Sequence, residues 1–463
     1  MAERITCISP VDGRVYVSRP VASKKAIAAT FAAARAAQEK WKRLPLAERA
    51  AYGSAAVDAM VAMKDEIVPE LAWQMGRPIR YGAGELRGFE ERARYMIGIA
   101  QQALADIDPG PKEGFVRYVR RDPLGVVFTI APWNYPYLTA VNSVIPALVA
   151  GNTVVLKHAA STLLVAERFQ QAFDRAKLPK GVFQHLVLSH AQVGEIIAAG
   201  LANMVCFTGS VAGGKAMEQA SAGRFINVGL ELGGKDPAYV RPDANLAHAI
   251  ENLVDGAFFN SGQSCCAIER IYVHKKVWGE FVDGFVDLTR KYLLGSPLDE
   301  GTTLGPLVRA EAAGFVRKQI ASAVRAGARA HIDAKAFPMD RTGTPYMAPQ
   351  VLTKVTHEMG VMMDESFGPV IGIMRVSGDR EAIGLMNDSP YGLTAAIWTE
   401  DADAAQAIGR EIETGTVFMN RCDYLDPALT WTGVKDTGRG ATLSRVGYEA
   451  LTRPKSYHLR TRT

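Results

Sequence analysis

Two adjacent cysteines follow a Gly-Gln pair in residues 258–270, which read FFNSGQSCCAIER. A thiolate is a strong nucleophile, and the polar, flexible residues before Cys265 would leave its thiol near backbone N–H groups that favour this form. The alternative is that both thiols are buried packing residues, which is a common use of free cysteine. Because consecutive side chains point in different directions, at most one of Cys265 and Cys266 can face a given site.

Two further polar residues follow apolar runs, where a parallel sheet would present its strand ends. Asn134 lies in PWNYP, between Pro132 and Pro136, in a rigid turn that could hold its amide towards a site or could be a simple Asx turn. Glu231 lies in LELGGK and precedes two glycines. It could be a salt-bridge partner, yet ligands bind at the carboxyl ends of strands in open α/β sheets.

A glycine-rich turn, FTGSVAGG at residues 207–214, follows an apolar run and precedes the helical segment KAMEQA. Free backbone N–H groups and the helix dipole could hold a pyrophosphate at such a turn. The turn lacks the GxGxxG pattern, so it could equally be structural. Its place between a strand and a helix favours a nucleotide site.

The elements that must position these residues alternate between strands and helices. Residues 20–105 have helical spacing, whereas short β-branched runs separated by amphipathic segments begin near residue 124. This alternation predicts βαβ units and a parallel sheet buried on both faces, and it restarts after about residue 236. Ser161 is the expected N-cap of one helix and Gly200 the expected end of the next. The predicted strands are GVVFTIAP, NTVVLKHA, VFQHLVLS, MVCFTGS and FINVGLEL.

The composition is that of a large globular enzyme with two or more domains: 463 residues, 48% hydrophobic and 22% charged. A net charge of +5, scattered along the chain, does not indicate a nucleic-acid partner. The five cysteines lack the spacing of a metal site and fit a reducing cytoplasm. Without an apolar leader or a long apolar run, no membrane association is expected.

The order and spacing of PWNYP, LKHA, FTGSVAGG, LELGGK, FFNSGQSCC, ESFGP and NDSPYGL resemble the aldehyde dehydrogenase superfamily over nearly the whole chain. The resemblance implies an α/β fold with a doubly wound cofactor-binding domain (residues 1–110 and 124–235) and an α/β catalytic domain (236–435). It also implies a small β bridging element (111–123 and 445–463) that forms a homodimer or homotetramer.

The resemblance assigns roles to the candidate residues. Cys265 would be the nucleophile and Cys266 its packing neighbour. Asn134 would donate to the oxyanion together with the backbone N–H of Cys265, and Glu231 would be the general base. No metal is implied. The expected cofactor-binding residues are Ile130, Pro132, Trp133, Lys157, His158, Gly209, Ser210, Leu232, Glu365 and Phe367.

The cofactor expected from the resemblance is NADP or NAD. In the family, Lys157 would contact the adenine-side ribose, and NAD users usually carry a glutamate three residues later. Here that residue is Ala160. A glutamate at this position would repel the 2′-phosphate of NADP, and its absence removes that repulsion, while Lys157 and His158 remain nearby. Efficient use of NADP is therefore predicted.

The substrate tunnel implied by the resemblance is mostly aromatic. Family members that oxidise succinic semialdehyde often have an arginine where this chain has Phe259, which makes a carboxylate-ended substrate less expected. Arg421 could still bind a carboxylate, and Asp423 and Asp426 could attract an amino-aldehyde or could be solvated loop residues. The expected tunnel residues are Tyr135, Asn142, Phe259, Leu425 and Trp431.

The function implied is oxidation of an aliphatic, aromatic or amino-aldehyde to the free acid through a cysteine thiohemiacetal and thioester. Members that transfer the acyl group to coenzyme A typically lack a carboxylate at the position of Glu231, so release of free acid is favoured. The alternatives are a succinic-type semialdehyde dehydrogenase and a family member that acts only as a binding or structural protein.

Overall fold

Two largely parallel sheets, each packed against helices, form the framework of the chain in the computed structural model, which describes residues 3–462. The strands, in chain order, are β1 Arg4–Ile8, β2 Val15–Pro20, β3 Phe115–Pro123, β4 Val126–Ile130, β5 Thr153–Lys157, β6 Phe183–His185, β7 Met204–Thr208, β8 Asn227–Glu231, β9 Asp236–Val240, β10 Ile268–His274, β11 Arg329–Ala330, β12 Gln350–Thr353, β13 Val370–Val376, β14 Tyr391–Gly392, β15 Thr394–Trp398, β16 Thr416–Met419, β17 Val434–Lys435, β18 Gly438–Arg439 and β19 Thr452–Arg460.

Helices cover both sheets and fill the N-terminal part of the chain, as its helical spacing predicts. Short 3₁₀ turns occur at Ala160–Thr162, Phe259–Gly262 and Ala334–Ala336. The α-helices are α1 Lys24–Trp41, α2 Leu46–Val61, α3 Lys64–Met75, α4 Ile79–Ala103, α5 Pro136–Val149, α6 Leu163–Arg175, α7 His190–Ala198, α8 Val211–Ser221, α9 Leu246–Phe258, α10 Trp278–Thr289, α11 Ala310–Arg325, α12 Gly360–Met363, α13 Asp379–Asn387, α14 Ala402–Gly409 and α15 Ser444–Ala450.

The first sheet has six strands in the order β18-β8-β7-β4-β5-β6. Its five strands β4 to β8 are the five predicted apolar runs, and all their pairings are parallel. Every residue of β4 and β5 is buried, because helices cover both faces of the sheet centre. The prediction of a parallel, doubly covered sheet is therefore confirmed.

The second sheet has seven strands in the order β11-β12-β13-β10-β9-β15-β16. Only the residues between Glu231 and Asp236 separate β8 of the first sheet from β9 of the second, so the chain crosses between the sheets within LELGGK. Strand β10 begins at Ile268, just after the two cysteines, and is buried throughout. The cysteine segment therefore enters a rigid core strand.

A separate antiparallel ribbon joins β3 to β19, with Phe115 opposite Arg460 and Pro123 opposite Thr452. This ribbon coincides with the predicted bridging element. The three-domain division itself stays a prediction, since β18 of the first sheet comes from residues 438–439, outside the predicted cofactor-binding ranges.

The helix boundaries differ from expectation at one of two positions. Gly200 has φ +66° just after α7, as a helix-ending glycine should. Ser161 is not an N-cap, because it lies within a 3₁₀ turn and α6 begins only at Leu163. Within residues 3–462, no helix has both the length and the apolar character needed to cross a bilayer.

Candidate active site

Four neighbouring parallel strands bring the motif residues to one edge of the first sheet. Ile130, the last residue of β4, lies in register with Lys157 of β5 and with Phe207 of β7. Thr208 of β7 is in turn in register with Glu231 of β8. Residues from separate motifs are therefore neighbours at the carboxyl edge, where ligands bind in sheets of this kind.

Cys265 follows a tight turn at the end of α9. Asn260 and Ser261 have positive φ angles of 52° and 58°. At Gly262, a Cβ would lie 2.4 Å from the carbonyl oxygen of Gly368, so only glycine fits. The turn leaves Cys265 half-buried in the wall of a cavity of about 410 Å³.

Cys266 has a different environment from its neighbour. It is buried, and its Sγ donates to Oδ1 of Asp423 over 3.0 Å. The adjacent Cys265 thiol and burial raise the pKa of Cys266 well above its ordinary value. Cys266 is therefore a neutral thiol held by a protein partner, whereas Cys265 is the more exposed of the two.

Asn134 is buried against the cysteine segment. Its Nδ2 donates to the carbonyl of Gln263 over 3.2 Å, and its own carbonyl accepts from Nδ2 of Asn260 over 3.2 Å. An amide carries two N–H groups, so one remains for another acceptor. Asn134 is thus fixed close to the residues that precede Cys265, although it does not itself line the cavity.

A buried ion pair supports this loop from behind. Arg77 pairs with Glu85, and its Nη2 donates to the carbonyl of Asn134 over 2.5 Å. Glu85 Oε1 accepts from the backbone N–H groups of Tyr137 and Leu138, in the first turn of α5. The pair therefore ties α4 and α5 to the loop that carries Asn134.

Glu231 lies between two cavities. It lines the cavity that contains Cys265 and a second one, of about 430 Å³, on the way to Arg439 and Leu451. Its carboxylate accepts from the hydroxyls of Thr208, over 2.9 Å, and Thr442. Burial raises the pKa of Glu231, and the two hydroxyls oppose that shift. A carboxylate with a raised pKa, in the same cavity as a thiol, is suited to accept a proton from water.

The cavity beside Cys265 contains all five of the predicted tunnel residues. Arg92 also lines it, although none of the sequence motifs includes this residue. Arg92 lies on α4 and is 7% exposed, and its Nη1 donates to the carbonyl of Leu138 and to Oδ1 of Asn142. The predicted residues that line the cavity are Tyr135, Asn142, Phe259, Leu425 and Trp431.

The three charged residues of the loop after β16 have different environments. Asp423 lines the cavity, and its Oδ1 accepts from Ser264 as well as from Cys266. Asp426 is exposed and accepts from the N–H of Ala428. Arg421 is exposed, with its guanidinium carbon 3.5 Å from the centre of the Tyr424 ring, and it does not line the cavity.

The glycine-rich turn forms the start of α8. Ser210 caps this helix by accepting from the N–H of Gly213, and the N–H of Gly209 donates to the carbonyl of Glu231. A Cβ on Gly213 would lie 2.6 Å from the Phe207 ring, so the turn is closely packed. Its free N–H groups form the type of helix N-terminus that binds phosphate.

Lys157 and His158 lie at the end of β5, two strands across the sheet from this turn, and differ in character. Lys157 is buried without an ion-pair partner among residues 3–462, and burial lowers its pKa to about 8. Both ring nitrogens of His158 contact protein atoms, namely the carbonyl of Pro136 and the hydroxyl of Thr162. Burial lowers the pKa of His158 to about 3. A neutral, fully engaged ring does not support the interpretation of His158 as a phosphate ligand.

The remaining cofactor candidates come from both sheets: Glu365 and Phe367 precede β13, whereas Pro132 and Trp133 follow β4 and Leu232 follows β8. Glu365 Oε1 accepts from the N–H of Gly234 over 3.0 Å, and burial raises the pKa of Glu365 to about 7. The ring of Trp133, which follows Pro132, packs edge to face on Phe367 at 5.6 Å. Leu232 is buried directly after Glu231 and would contact a Cβ placed on Gly214 of α8.

These groups fit a nicotinamide dinucleotide. The start of α8 offers N–H groups for a pyrophosphate, and Lys157, two strands away at the same edge of the sheet, offers a cation without an ion-pair partner among the described residues. Glu365 keeps one carboxylate oxygen without a protein partner among the described residues, which is the chemistry that ribose hydroxyls require.

Comparison with known proteins finds similarity to one family over nearly the whole chain. Residues 1–457 match the model of the aldehyde dehydrogenase family. The chain is 33% identical to succinate-semialdehyde dehydrogenase [NADP(+)] of Mycobacterium avium (strain 104), over 98% of this chain and 96% of that protein.

Two solved structures have the same fold. The NADP-dependent glyceraldehyde-3-phosphate dehydrogenase of Bacillus halodurans C-125, complexed with NADP, superimposes with a TM-score of 0.93 at 32% identity, over 99% of this chain and 96% of that one. PnpE in complex with nicotinamide adenine dinucleotide superimposes with a TM-score of 0.94 at 28% identity, over 100% of this chain and 95% of that one. The chain belongs to the aldehyde dehydrogenase family.

Proposed function

We propose that Cys265, Glu231 and Asn134 catalyse the NAD(P)-dependent oxidation of an aldehyde to the free acid in the cavity described above. Family membership makes the protein an NAD(P)-dependent aldehyde dehydrogenase, and what remains to be assigned is the role of each residue. The observation that carries the assignment is that Cys265 and Glu231 line one cavity, with Asn134 fixed to the segment that precedes the thiol.

The first half of the reaction forms and oxidises a covalent adduct. The thiolate of Cys265 adds to the aldehyde carbon and gives a thiohemiacetal, whose oxygen carries the negative charge. Asn134, which is hydrogen-bonded to the segment that precedes the thiol, would donate its second amide N–H to that oxygen without adding a charge to the pocket. Bound NADP or NAD would supply the acceptor for the hydride that leaves this carbon, and the product on Cys265 is a thioester.

The second half releases the acid. Glu231 accepts a proton from water, the resulting hydroxide attacks the thioester carbon, and the Cys265 thiolate leaves. The raised pKa of Glu231 makes its carboxylate a stronger base for this step. A panel of aldehydes with either cofactor tests the assignment: the parent should form reduced nicotinamide and free acid, and Cys265→Ala should not. Equal rates for the two proteins, or a rate that depends on added coenzyme A, would contradict it.

NADP is the proposed preferred cofactor. Lys157 has no ion-pair partner among the described residues, and the exposed Ala160 places no carboxylate near it. A 2′-phosphate would therefore meet a cation and no fixed negative charge. The ratio of kcat/KM for NADP to that for NAD should exceed one, and a much higher efficiency with NAD would overturn the proposal.

A semialdehyde that ends in a carboxylate is a second candidate for the substrate. It is favoured by Arg92, a guanidinium in the wall of the same cavity as Cys265, although the sequence places Phe259 where some relatives have arginine. Faster oxidation of succinic semialdehyde than of butanal would support this candidate, and the reverse order would exclude it.

We further propose that the protein is a homodimer or homotetramer in the cytoplasm. The ribbon of β3 and β19 exposes Val116 and Leu459, each about half exposed, and the outermost strand β16 exposes Val417 and Met419. Unpaired strand edges with apolar side chains are suited to pair with another copy. Sedimentation should give a dimer or tetramer, and an active monomer would contradict the proposal.

A further inference from the structure

Six charged side chains line the cavity beside Cys265. Three of them, Arg87, Glu91 and Asp255, are exposed, and Glu231 is the proposed base. The other two, Arg92 and Asp423, carry opposite charges and are not paired with each other. Arg92 uses only Nη1 within the protein, for the carbonyl of Leu138 at 2.8 Å and Oδ1 of Asn142 at 3.3 Å. Asp423 uses only Oδ1, which accepts from Ser264 and from Cys266. Within residues 3–462, Nε and Nη2 of Arg92 and Oδ2 of Asp423 have no hydrogen-bond partner, and neither side chain is in an ion pair.

Both groups are fixed in place by residues next to the proposed nucleophile or in the pocket wall. Asp423 is held by the side chains immediately before and after Cys265, and its own φ is +47°. Arg92 is held by the wall formed by α5. Charges that are fixed before a ligand binds need little reorganisation, so they can discriminate strongly between ligands.

A third polar group in this cavity also lacks a partner. The hydroxyl of Tyr135 is buried and has no hydrogen-bond partner among residues 3–462, although its ring lines the cavity. Burial, and then the charge of Asp423, raise the pKa of Tyr135 well above its ordinary value. Because the hydroxyl oxygen itself is buried, Tyr135 adds an unpaired dipole to the cavity wall and no exposed donor for a ligand.

We propose that Arg92 and Asp423 form a two-charge subsite that selects aldehydes whose far end carries both a carboxylate and an ammonium group, that is, amino-acid semialdehydes. The carboxylate would pair with the free N–H groups of Arg92 and the ammonium with Oδ2 of Asp423. This inference rests on the proposed function, because the aldehyde end must reach Cys265 in the same cavity.

Substrates with a single charge satisfy this subsite less well. A plain carboxylate leaves Asp423 unpaired next to a second negative charge, and a plain ammonium leaves Arg92 unpaired. A neutral alkyl end leaves both without a partner. The cavity of about 410 Å³ is large enough for a semialdehyde of a few carbons, in the range usual for small-ligand pockets.

Four aldehydes that differ only in the far end test the subsite on the parent enzyme. They are L-aspartate 4-semialdehyde, succinic semialdehyde, which lacks the amino group, 3-aminopropanal, which lacks the carboxylate, and butanal, which lacks both. The expected kcat/KM with NADP is highest for L-aspartate 4-semialdehyde, by about tenfold or more over each of the others.

Variants that remove one charge then show which residue binds the carboxylate of the substrate and which binds its ammonium group. In Asp423→Asn, the ratio of kcat/KM for L-aspartate 4-semialdehyde to that for succinic semialdehyde should fall to near one. In Arg92→Gln, the ratio of kcat/KM for L-aspartate 4-semialdehyde to that for 3-aminopropanal should fall to near one. Matched controls are Asp426→Asn and Arg421→Gln, which alter exposed charges of the same loop outside the cavity. Each control should keep both preferences of the parent.

The outcomes separate this inference from the proposed function. Oxidation of all four aldehydes with similar kcat/KM would overturn the subsite and leave the dehydrogenase assignment intact. A parent preference that survives both Asp423→Asn and Arg92→Gln would also overturn it. If either variant fails to fold, the kcat/KM values of the parent enzyme for the four aldehydes decide the question. If the parent forms no reduced nicotinamide with any of the four aldehydes, the proposed function is rejected as well.

Discussion

The side-chain amide of Asn134 donates a 3.2 Å hydrogen bond to the carbonyl of Gln263, two residues before Cys265. Nδ2 of Asn260 donates to the same carbonyl and to the carbonyl of Asn134, both over 3.2 Å. The loop after β4 and the cysteine segment therefore form one hydrogen-bonded unit, although 129 positions separate Asn134 from Gln263. This unit keeps the proposed oxyanion donor close to the proposed nucleophile.

Replacing Asn134 by alanine should lower kcat by roughly 100- to 1,000-fold, because one fixed donor to an oxyanion contributes about that much to rate. Steady-state kinetics with the best aldehyde measure the change. As a control, the rate of Cys265 alkylation by iodoacetamide should stay close to that of the parent. An unchanged kcat would show that another group stabilises the oxyanion.

Removing the Thr442 hydroxyl should shift the pH dependence of acid release. That hydroxyl donates to the Glu231 carboxylate and opposes the upward shift of its pKa by burial. In Thr442→Val the pKa of Glu231 should rise further, so the acidic limb of the rate profile should move to higher pH, since only the carboxylate can act as base.

Thr442→Ser keeps the hydroxyl and is the matched control, with a profile that should overlay that of the parent. Hydrolysis of an acyl-enzyme formed from 4-nitrophenyl acetate isolates the step that depends on Glu231. Identical profiles for Thr442→Val and the parent would exclude Glu231 as the titrating base.

The preference for NADP should depend on the charge of Lys157. Burial lowers the pKa of Lys157 to about 8, so its ammonium form is lost as the pH rises through that value. The NADP to NAD ratio of kcat/KM should therefore fall between about pH 7 and 9, because kcat/KM reports the free enzyme. Lys157→Met should lower the ratio about tenfold and remove its pH dependence, whereas the exposed Lys180→Met should change neither. A ratio independent of pH in the parent would contradict this role.

Breaking the ion pair behind the Asn134 loop should destabilise the protein. Glu85→Gln leaves the Arg77 guanidinium buried without its counter-charge, which typically costs about 3–5 kcal/mol of unfolding free energy. The midpoint of denaturant unfolding should fall. Glu91→Gln, which neutralises an exposed carboxylate on the same helix, should change the unfolding free energy by less than about 1 kcal/mol. Equal changes of the unfolding free energy in the two variants would show that the Arg77–Glu85 pair contributes no more to stability than a surface contact does.

Much of the fold could be predicted because its strands carry local signals. The five β-branched runs of the first sheet are almost continuous in apolar residues, and burial on both faces demands that composition. The helix start at Ser161 was predicted wrongly, since the chain makes a 3₁₀ turn at Ala160–Thr162 before α6 begins. Side-chain capping preferences alone do not show such a turn.

The site was only partly predictable, because several of its contacts join distant segments. Arg92 shares an inward stripe of α4 with Glu85, Phe89 and Met96, so charged residues on an apolar helical face were a usable signal. Asp423 is a candidate partner of an amino-aldehyde from the sequence, but nothing in the sequence separates it from Asp426, because its contacts with Ser264 and Cys266 arise only in the folded loop.

Trapping the acyl-enzyme and locating its acyl group would identify the nucleophile. In Glu231→Gln, incubation with butanal and NADP, followed by acid quench, digestion and mass spectrometry, should find a butyryl thioester on Cys265. Fragment ions distinguish it from an adduct on Cys266. An acyl group on Cys266, or continued formation of reduced nicotinamide and free acid with no adduct on Cys265, would contradict the assignment of Cys265 as nucleophile.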